Sequence, residues 1–165
     1  MKTLYILRHA KSSWEEGVDD HKRSLKNRGK NDAELVSKYV AIKVKAPQKI
    51  YSSDANRAQT TARYFKESFG VSDKNCILKP SLYDFEGSKV MEVIKNVANN
   101  LDCVMIVGHN HALTSIVNML GDAVINNLPT CGFVELQFEV DSWEFANFGH
   151  TSTQVFPRDL KPKEH

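Results

Sequence analysis

The sequence predicts an α/β protein of three layers, α/β/α, around a mostly parallel central sheet. Three observations carry that expectation. Residues 4–7 (LYIL) and 103–107 (CVMIV) are short, unbroken apolar runs, the pattern of strands buried on both faces. Amphipathic helical stretches alternate with the strand-like runs, and a β-α-β-α order builds a parallel sheet with helices on both sides. At 165 residues the chain is of single-domain size.

The elements follow in order. TLYILRHA reads as a strand ending near Arg8. Residues 13–28 are charged and irregular, as in a loop. A helix is expected from about Leu25 or Lys30 to Lys43, with Ala33, Val36, Tyr39 and Val40 on its core face. A short strand lies around residues 49–51. Ser53 or Asp54 is placed to cap a helix running through Arg57, Thr61 and Phe65. Residues 76–79 suggest another short strand. SKVMEVIKNVANN is amphipathic, with Val90, Val93, Ile94 and Val97 on one face. The second apolar strand ends at Gly108, and HALTSIVNMLG continues as a helix with Gly121 as its stop. CGFVELQFEV alternates apolar and polar residues, as an edge or one-sided strand would. One domain is expected over residues 1–157. Residues 158–165 read as a polar C-terminal tail, disordered at its end.

Composition narrows the function. Lys and Arg number 22 against 20 acidic residues, a balance that gives no basic face for nucleic acid. Cys76, Cys103 and Cys131 are widely spaced and odd in number, which speaks against disulfides and a cysteine zinc site. Buried free thiols in a reducing compartment are expected. No apolar run approaches the roughly 20 residues that span a bilayer, and the N-terminal apolar run is too short for a signal-peptide core. A cytoplasmic protein that binds neither nucleic acid nor membrane is the expectation.

Both strong strands end in a histidine, at Arg8-His9 and Gly108-His109. In open parallel sheets, sites form beyond the carboxyl ends of the strands. Arg57 stands early in the helix of SSDANRAQTTA. Two imidazoles and two guanidiniums, with N–H groups of a helix start, make an anion site. One imidazole with a free nitrogen can act as nucleophile. Phosphoryl transfer needs such an in-line nucleophile and positive charge around the equatorial oxygens. These residues supply both without a metal or other cofactor.

Four segments resemble the histidine phosphatase superfamily, also called phosphoglycerate mutase-like. LRHAKSSW resembles its R-H-G/A signature. Residues 23–29 resemble R-P-L-x-x-R-G, with Ser24 for the proline. Residues 53–62 resemble S-x-x-x-R-A-x-x-T-A, and residues 107–113 resemble V-G-H-N-P-G-L. The likeness spans roughly residues 3–140. The R-H-A form and short length are most similar to the SixA-type phosphohistidine phosphatases. The resemblance implies a phosphoglycerate mutase-like fold and a phosphatase. His9 would form a phosphohistidine intermediate, Arg8 and Arg57 would hold the phosphoryl oxygens, and His109 would contact the same oxygens. The implied partner is a phosphorylated protein, a phosphohistidine domain, or a small phosphorylated substrate.

The same resemblance implies that Lys11, Ser12 and Ser13 would lie near the pocket mouth, as substrate contacts or as ordinary solvated surface. Two departures from the family pattern stand out. His111 replaces the proline of G-H-N-P, and with His109 forms an i, i+2 pair; no third metal ligand is evident, so His111 is expected to begin a helix at the rim. In larger members a Glu proton donor follows L-x; here Asp84 falls at that position, with Glu86 nearby. Asp84 is thus a candidate donor, or a solvated loop residue. An uncertain donor suits a P–N substrate, because imidazole protonates near pH 6.5 and leaves without much help, whereas an alkoxide needs a positioned acid. Phosphohistidine hydrolysis is therefore the leading expectation. Small-metabolite phosphomonoester hydrolysis and a non-catalytic phosphate-binding module are the alternatives.

Overall fold

The computed structural model describes residues 1–15 and 17–162. The expected three-layer α/β/α architecture is present. Strand β1 (Lys2–Arg8) is followed by α1 (Asn27–Lys43), β2 (Lys49–Ser52), α2 (Asn56–Phe69) and β3 (Cys76–Leu78). Then come α3 (Ser88–Lys95), β4 (Cys103–Gly108), α4 (Ala112–Leu120), β5 (Phe133–Phe138) and β6 (His150–Val155). The six strands run in the order β3-β2-β4-β1-β5-β6. β3, β2, β4 and β1 are parallel; β5 and β6 are antiparallel to their neighbours.

Alternation along β1 divides the core. Leu4 and Ile6 pack with α3 and α4 on one face, beside Ile94, Leu113, Ile116 and Trp143. Tyr5 and Leu7 pack with α1 and α2 on the other, beside Val36, Val40 and Phe65. Each fully buried side chain of this kind contributes about 1.5–3 kcal/mol. β1 is thereby clamped from both sides, which makes its carboxyl end a rigid mount. β4, inserted between β2 and β1, pairs Arg8 with Gly108. The two strand ends therefore finish side by side, at the point where the strand order reverses.

Several local expectations are revised. Tyr39 is on the exposed side of α1, not its core face, because Val36 and Val40 already fill the contact with the sheet. Neither Ser53 nor Asp54 caps α2; the residue before the helix is Ala55, and it has no side-chain cap. β5 is not an edge strand, because β6 pairs along its outer side. β6 itself has no counterpart in the expected elements. Residues 158–160, read as the start of a polar tail, form with Pro157 a 3-10 turn against α1, and Lys161 Nζ lies 2.6 Å from the buried Asp32 carboxylate. Residues 163–165, where the disordered end was expected, lie outside the described residues. Cys76, Cys103 and Cys131 are free. No helix among the described residues is long and apolar enough to cross a membrane.

Candidate active site

A pocket of about 360 Å³ opens beyond the carboxyl ends of β1 and β4. Arg8, His9, Arg57 and His109 all line it. His9 and His109 are buried, with ring centroids 5.2 Å apart.

The orientation of His9 is set by backbone. Its Nδ1 lies 2.8 Å from the Ala10 carbonyl, which only accepts, so Nδ1 carries the proton. Nε2 is left unprotonated, and its lone pair accepts from the Arg57 Nε–H at 3.4 Å. The His9 N–H donates to Gly108 O at 3.1 Å. The Cys131 N–H is shared between the carbonyls of Arg8 and His9, at 3.1 and 3.0 Å. Burial, with His109, Arg57 and Arg8 nearby, holds the His9 pKa well below the usual imidazole range despite the opposing Ala10 contact. The ring is neutral at pH 7.

His109 donates through Nε2 to Ser53 Oγ at 2.8 Å. Its Nδ1 then accepts from Arg57 Nη2 at 3.4 Å. Burial and the Arg57 charge push its pKa down to about 3. Ser53 is thus engaged with the histidine, which explains why its hydroxyl does not cap α2.

Arg57 is buried at the start of α2 and spreads its fork over the site. Nη1 donates to Asp20 O at 2.6 Å and Nη2 to Asp20 Oδ2 at 3.0 Å. Arg8 donates from Nη1 to Leu128 O at 2.9 Å, and its buried Nε has no partner. An orphaned charged donor lining a pocket is costly unless an anion completes it.

Asp20, Arg23 and Tyr83 were not singled out as site residues in the sequence. They sit on a 3-10 turn (Asp20–Lys22), just after it, and after β3. Asp20 accepts from Arg57, from Arg23 Nη1 at 2.9 Å and from the Tyr83 hydroxyl. Burial disfavours its charge, but these donors outweigh that, and its carboxyl stays ionised far below the ordinary range. The available signal was the spacing Asp20-x-x-Arg23 ahead of the R-x-x-x-x-x-G stretch, which no periodicity flags.

Lys11 and Ser12 line the pocket as expected at its rim. Ser12 is buried and its Oγ accepts from Arg23 Nη2 at 2.5 Å, so it braces an arginine rather than facing solvent. The Arg23 guanidinium stacks on Trp14, which is 73% exposed. Gly29, in α1, lies directly behind this loop; a Cβ there would fall 2.1 Å from Lys11 O.

Asp84 does not fit the donor role. Its carboxylate accepts four backbone N–H groups, from Glu86, Gly87, Lys89 and Val90, at 3.0–3.1 Å. It caps α3, and those bonds outweigh its burial to hold the pKa down. It is also absent from the pocket lining. An anion fixed in this way is a poor acid. His111 precedes α4, exposed, and does not line the pocket. Among the described residues, no group of three or more His, Cys, Asp or Glu could hold a metal ion.

Comparison with known proteins decides the family. Residues 4–89 match the sequence profile of the histidine phosphatase superfamily, branch 1. The chain belongs to that superfamily. An uncharacterised chloroplast protein of Arabidopsis thaliana is 32% identical over 154 residues, covering 88% of this chain and 70% of the plant one. A SixA protein from Agrobacterium tumefaciens superposes with a TM-score of 0.80 at 24% identity, covering 94% and 98% of the two chains. The protein histidine phosphatase SixA solved with tungstate gives 0.81 at 18%, covering 96% and 99%. These likenesses establish the phosphoglycerate mutase-like fold for this histidine phosphatase. The profile match ends before His109, so only the pairing of β1 with β4 brings that residue to the phosphatase's Arg8-His9 end.

Proposed function

We propose that this histidine phosphatase hydrolyses the P–N bond of phosphohistidine in a phosphoprotein, through a covalent phosphohistidine at His9 and without a metal. The observation that carries the mechanism is the unprotonated Nε2 of a neutral His9. A nucleophilic imidazole needs one unprotonated nitrogen, and the Ala10 carbonyl keeps the proton on the other. Once Nε2 carries phosphoryl, the ring becomes a cation whose Nδ1–H still donates to that carbonyl.

The cations around Nε2 take the phosphoryl oxygens. Arg57 faces it through Nε, and Arg8 has an unused buried Nε donor. A dianion entering here opposes the burial and the Arg57 charge that keep His109 deprotonated. His109 Nδ1 then takes up a proton and becomes a third donor.

The preference for phosphohistidine rests on the pocket mouth and the leaving group. Trp14 and Phe85 stand exposed at the rim, 73% and 44% open, as suits contact with a protein surface. A phosphohistidine protonated on its distal ring nitrogen leaves as neutral imidazole and needs no further acid. That suits a site whose expected acid, Asp84, is a helix cap.

The test is hydrolysis of a phosphohistidine-bearing protein against a panel of sugar phosphates, with EDTA present. Faster turnover of the phosphoprotein, lost in His9→Ala, is expected. Equal or faster turnover of sugar phosphates would point to a small-metabolite phosphomonoesterase, and activity surviving in His9→Ala would remove the covalent mechanism.

A further inference from the structure

A second cavity, of about 420 Å³, opens beside the segment that links β3 to α3. Its size is that of a small-molecule site. It shares no lining residue with the pocket around His9. Its apolar floor is the Tyr51 ring from β2, with Val93 and Val97. Lys79, Ser81, Lys89 and Glu92 stand around that floor.

The polar groups of this cavity are short of partners among the described residues. Tyr51 is 8% exposed, yet its hydroxyl, on the cavity wall, has no hydrogen bond. A buried hydroxyl normally finds one. Lys79 extends over the Tyr51 ring, with Nζ 5.7 Å from its centroid. Neither it nor Lys89 forms an ion pair, and neither does Glu92.

We propose that this cavity is a ligand site for a monosaccharide-sized organic anion, a sugar acid or a sugar phosphate, whose occupancy is felt at His109. Two ammonium groups take the anionic group. An ionised Glu92 only accepts, so the ligand brings hydroxyl donors beside its charge. The apolar floor suits a carbon body and gives a bare ion nothing. The Tyr51 hydroxyl completes the set, as donor or acceptor.

Both walls of the cavity run on into groups that touch His109. Two residues beyond Tyr51, Ser53 Oγ accepts from His109 Nε2 at 2.8 Å. Lys79, Ser81 and Lys89 bracket Tyr83 and Phe85 in the chain. The rings of Tyr83 and Phe85 lie 5.2 and 5.0 Å from the His109 ring. Asp84, between them, is tied to the Lys89 N–H at 3.0 Å. A ligand that engages Lys79 and Lys89 therefore loads the short stretch that carries both rings. Any resulting change in affinity for an anion at His9 is matched by an equal change for the ligand in the cavity.

The experiment is an NMR titration that follows backbone amides and histidine ring signals. Wild type receives D-gluconate, the sugar-acid form. His9→Ala receives ribose 5-phosphate, the sugar-phosphate form, so that turnover does not consume it. Inorganic sulfate is the bare-anion control. Each protein is compared with the same protein carrying Lys79→Ala and Lys89→Ala together. Saturable shifts at Tyr51, Ser81 and Lys89 are expected with at least one sugar anion, at a Kd of about 1 mM or tighter. They should be absent with sulfate and lost in the lysine variant. Tyr51→Phe should weaken binding by about two- to tenfold. The His109 ring signals should move with the same titration curve. The KM of wild type for p-nitrophenyl phosphate should change by about fivefold or more on saturation with the sugar anion that binds, gluconate or a sulfate-ester analogue of the phosphate. The lysine variant should keep wild-type basal turnover and lose that response. Shifts no larger than those with sulfate, a KM change that persists in the lysine variant, or His109 signals unmoved at saturation would each overturn the inference. None of these outcomes bears on the phosphohistidine reading, because turnover without the sugar anion does not draw on this cavity.

Discussion

The backbone N–H of His9 donates to the carbonyl of Gly108, 3.1 Å away, where two parallel strands end together. That bond joins the two histidine-bearing corners. It makes the spacing of the imidazoles a property of sheet register, which the buried side chains of β1 and β4 fix from both faces. What can still shift is the loop that leaves β1, and it rests on α1 at Gly29.

Gly29→Ala tests that support. Its new methyl would meet Lys11 O at 2.1 Å, far inside contact distance, and the atoms it meets are Lys11 backbone. The loop carrying Ala10 and Ser12 must then move. We expect kcat/KM on p-nitrophenyl phosphate to fall by at least tenfold, and a lowered melting temperature. An unaltered rate would mean that the loop yields without disturbing the His9 ring.

Arg57→Lys separates shape from charge. A lysine keeps the positive charge but cannot present Nε to His9 and two Nη atoms to Asp20 at once. Loss of one such donor set is expected to lower kcat/KM by about 10²–10³. Steady-state kinetics measure this, with vanadate affinity falling in parallel.

The histidines set a pH signature. Burial and the neighbouring cations depress the pKa of both His9 and His109, the latter to about 3. In the unfolded chain each titrates near 6.5. The unfolded state therefore binds more protons below that pH, and the stability contributed by the neutral rings is full above it. It is lost as pH falls from 6.5 toward the folded values, by about 1.4 kcal/mol per pH unit for each ring. Ring ¹⁵N shifts should report both as neutral at pH 6. Their protonation at that pH in the free protein would contradict the burial argument.

Asp84→Ala distinguishes a cap from a proton donor. Loss of a helix cap costs about 0.5–2 kcal/mol. Denaturant unfolding should register that loss while kcat on a phosphohistidine protein stays within about threefold of wild type. A collapse of kcat with unchanged stability would restore the donor role.

The parts of the fold that were legible in the sequence are those buried on two faces. β1 and β4 carry the unbroken apolar runs 4–7 and 103–107, whose side chains pack alternately against the helical layers on the two faces. β6 escaped notice because HTSTQV has no apolar periodicity; its outer position leaves alternate residues exposed. That omission made β5 look like an edge. Within the site, Arg8, His9 and His109 were legible because strand ends in a parallel sheet have a known meaning, and Arg57 because it opens a helix after another strand. Asp20, Arg23 and Tyr83 were not, because their contacts join loops distant in sequence. Asp84 was left open between proton donor and loop residue for a different reason. An acid just before an amphipathic helix looks the same whether it donates a proton or accepts backbone N–H groups.

The partner of His9 Nδ1 is a main-chain carbonyl, and a carbonyl is present whichever residue follows the histidine. No exchange of side chain at position 10 can delete it. The tautomer of the ring is therefore encoded by the path of the chain. In a mutational scan, residues that steer the chain, such as Gly29 and Cys131, would stand where a search for an orienting acid would come back empty-handed.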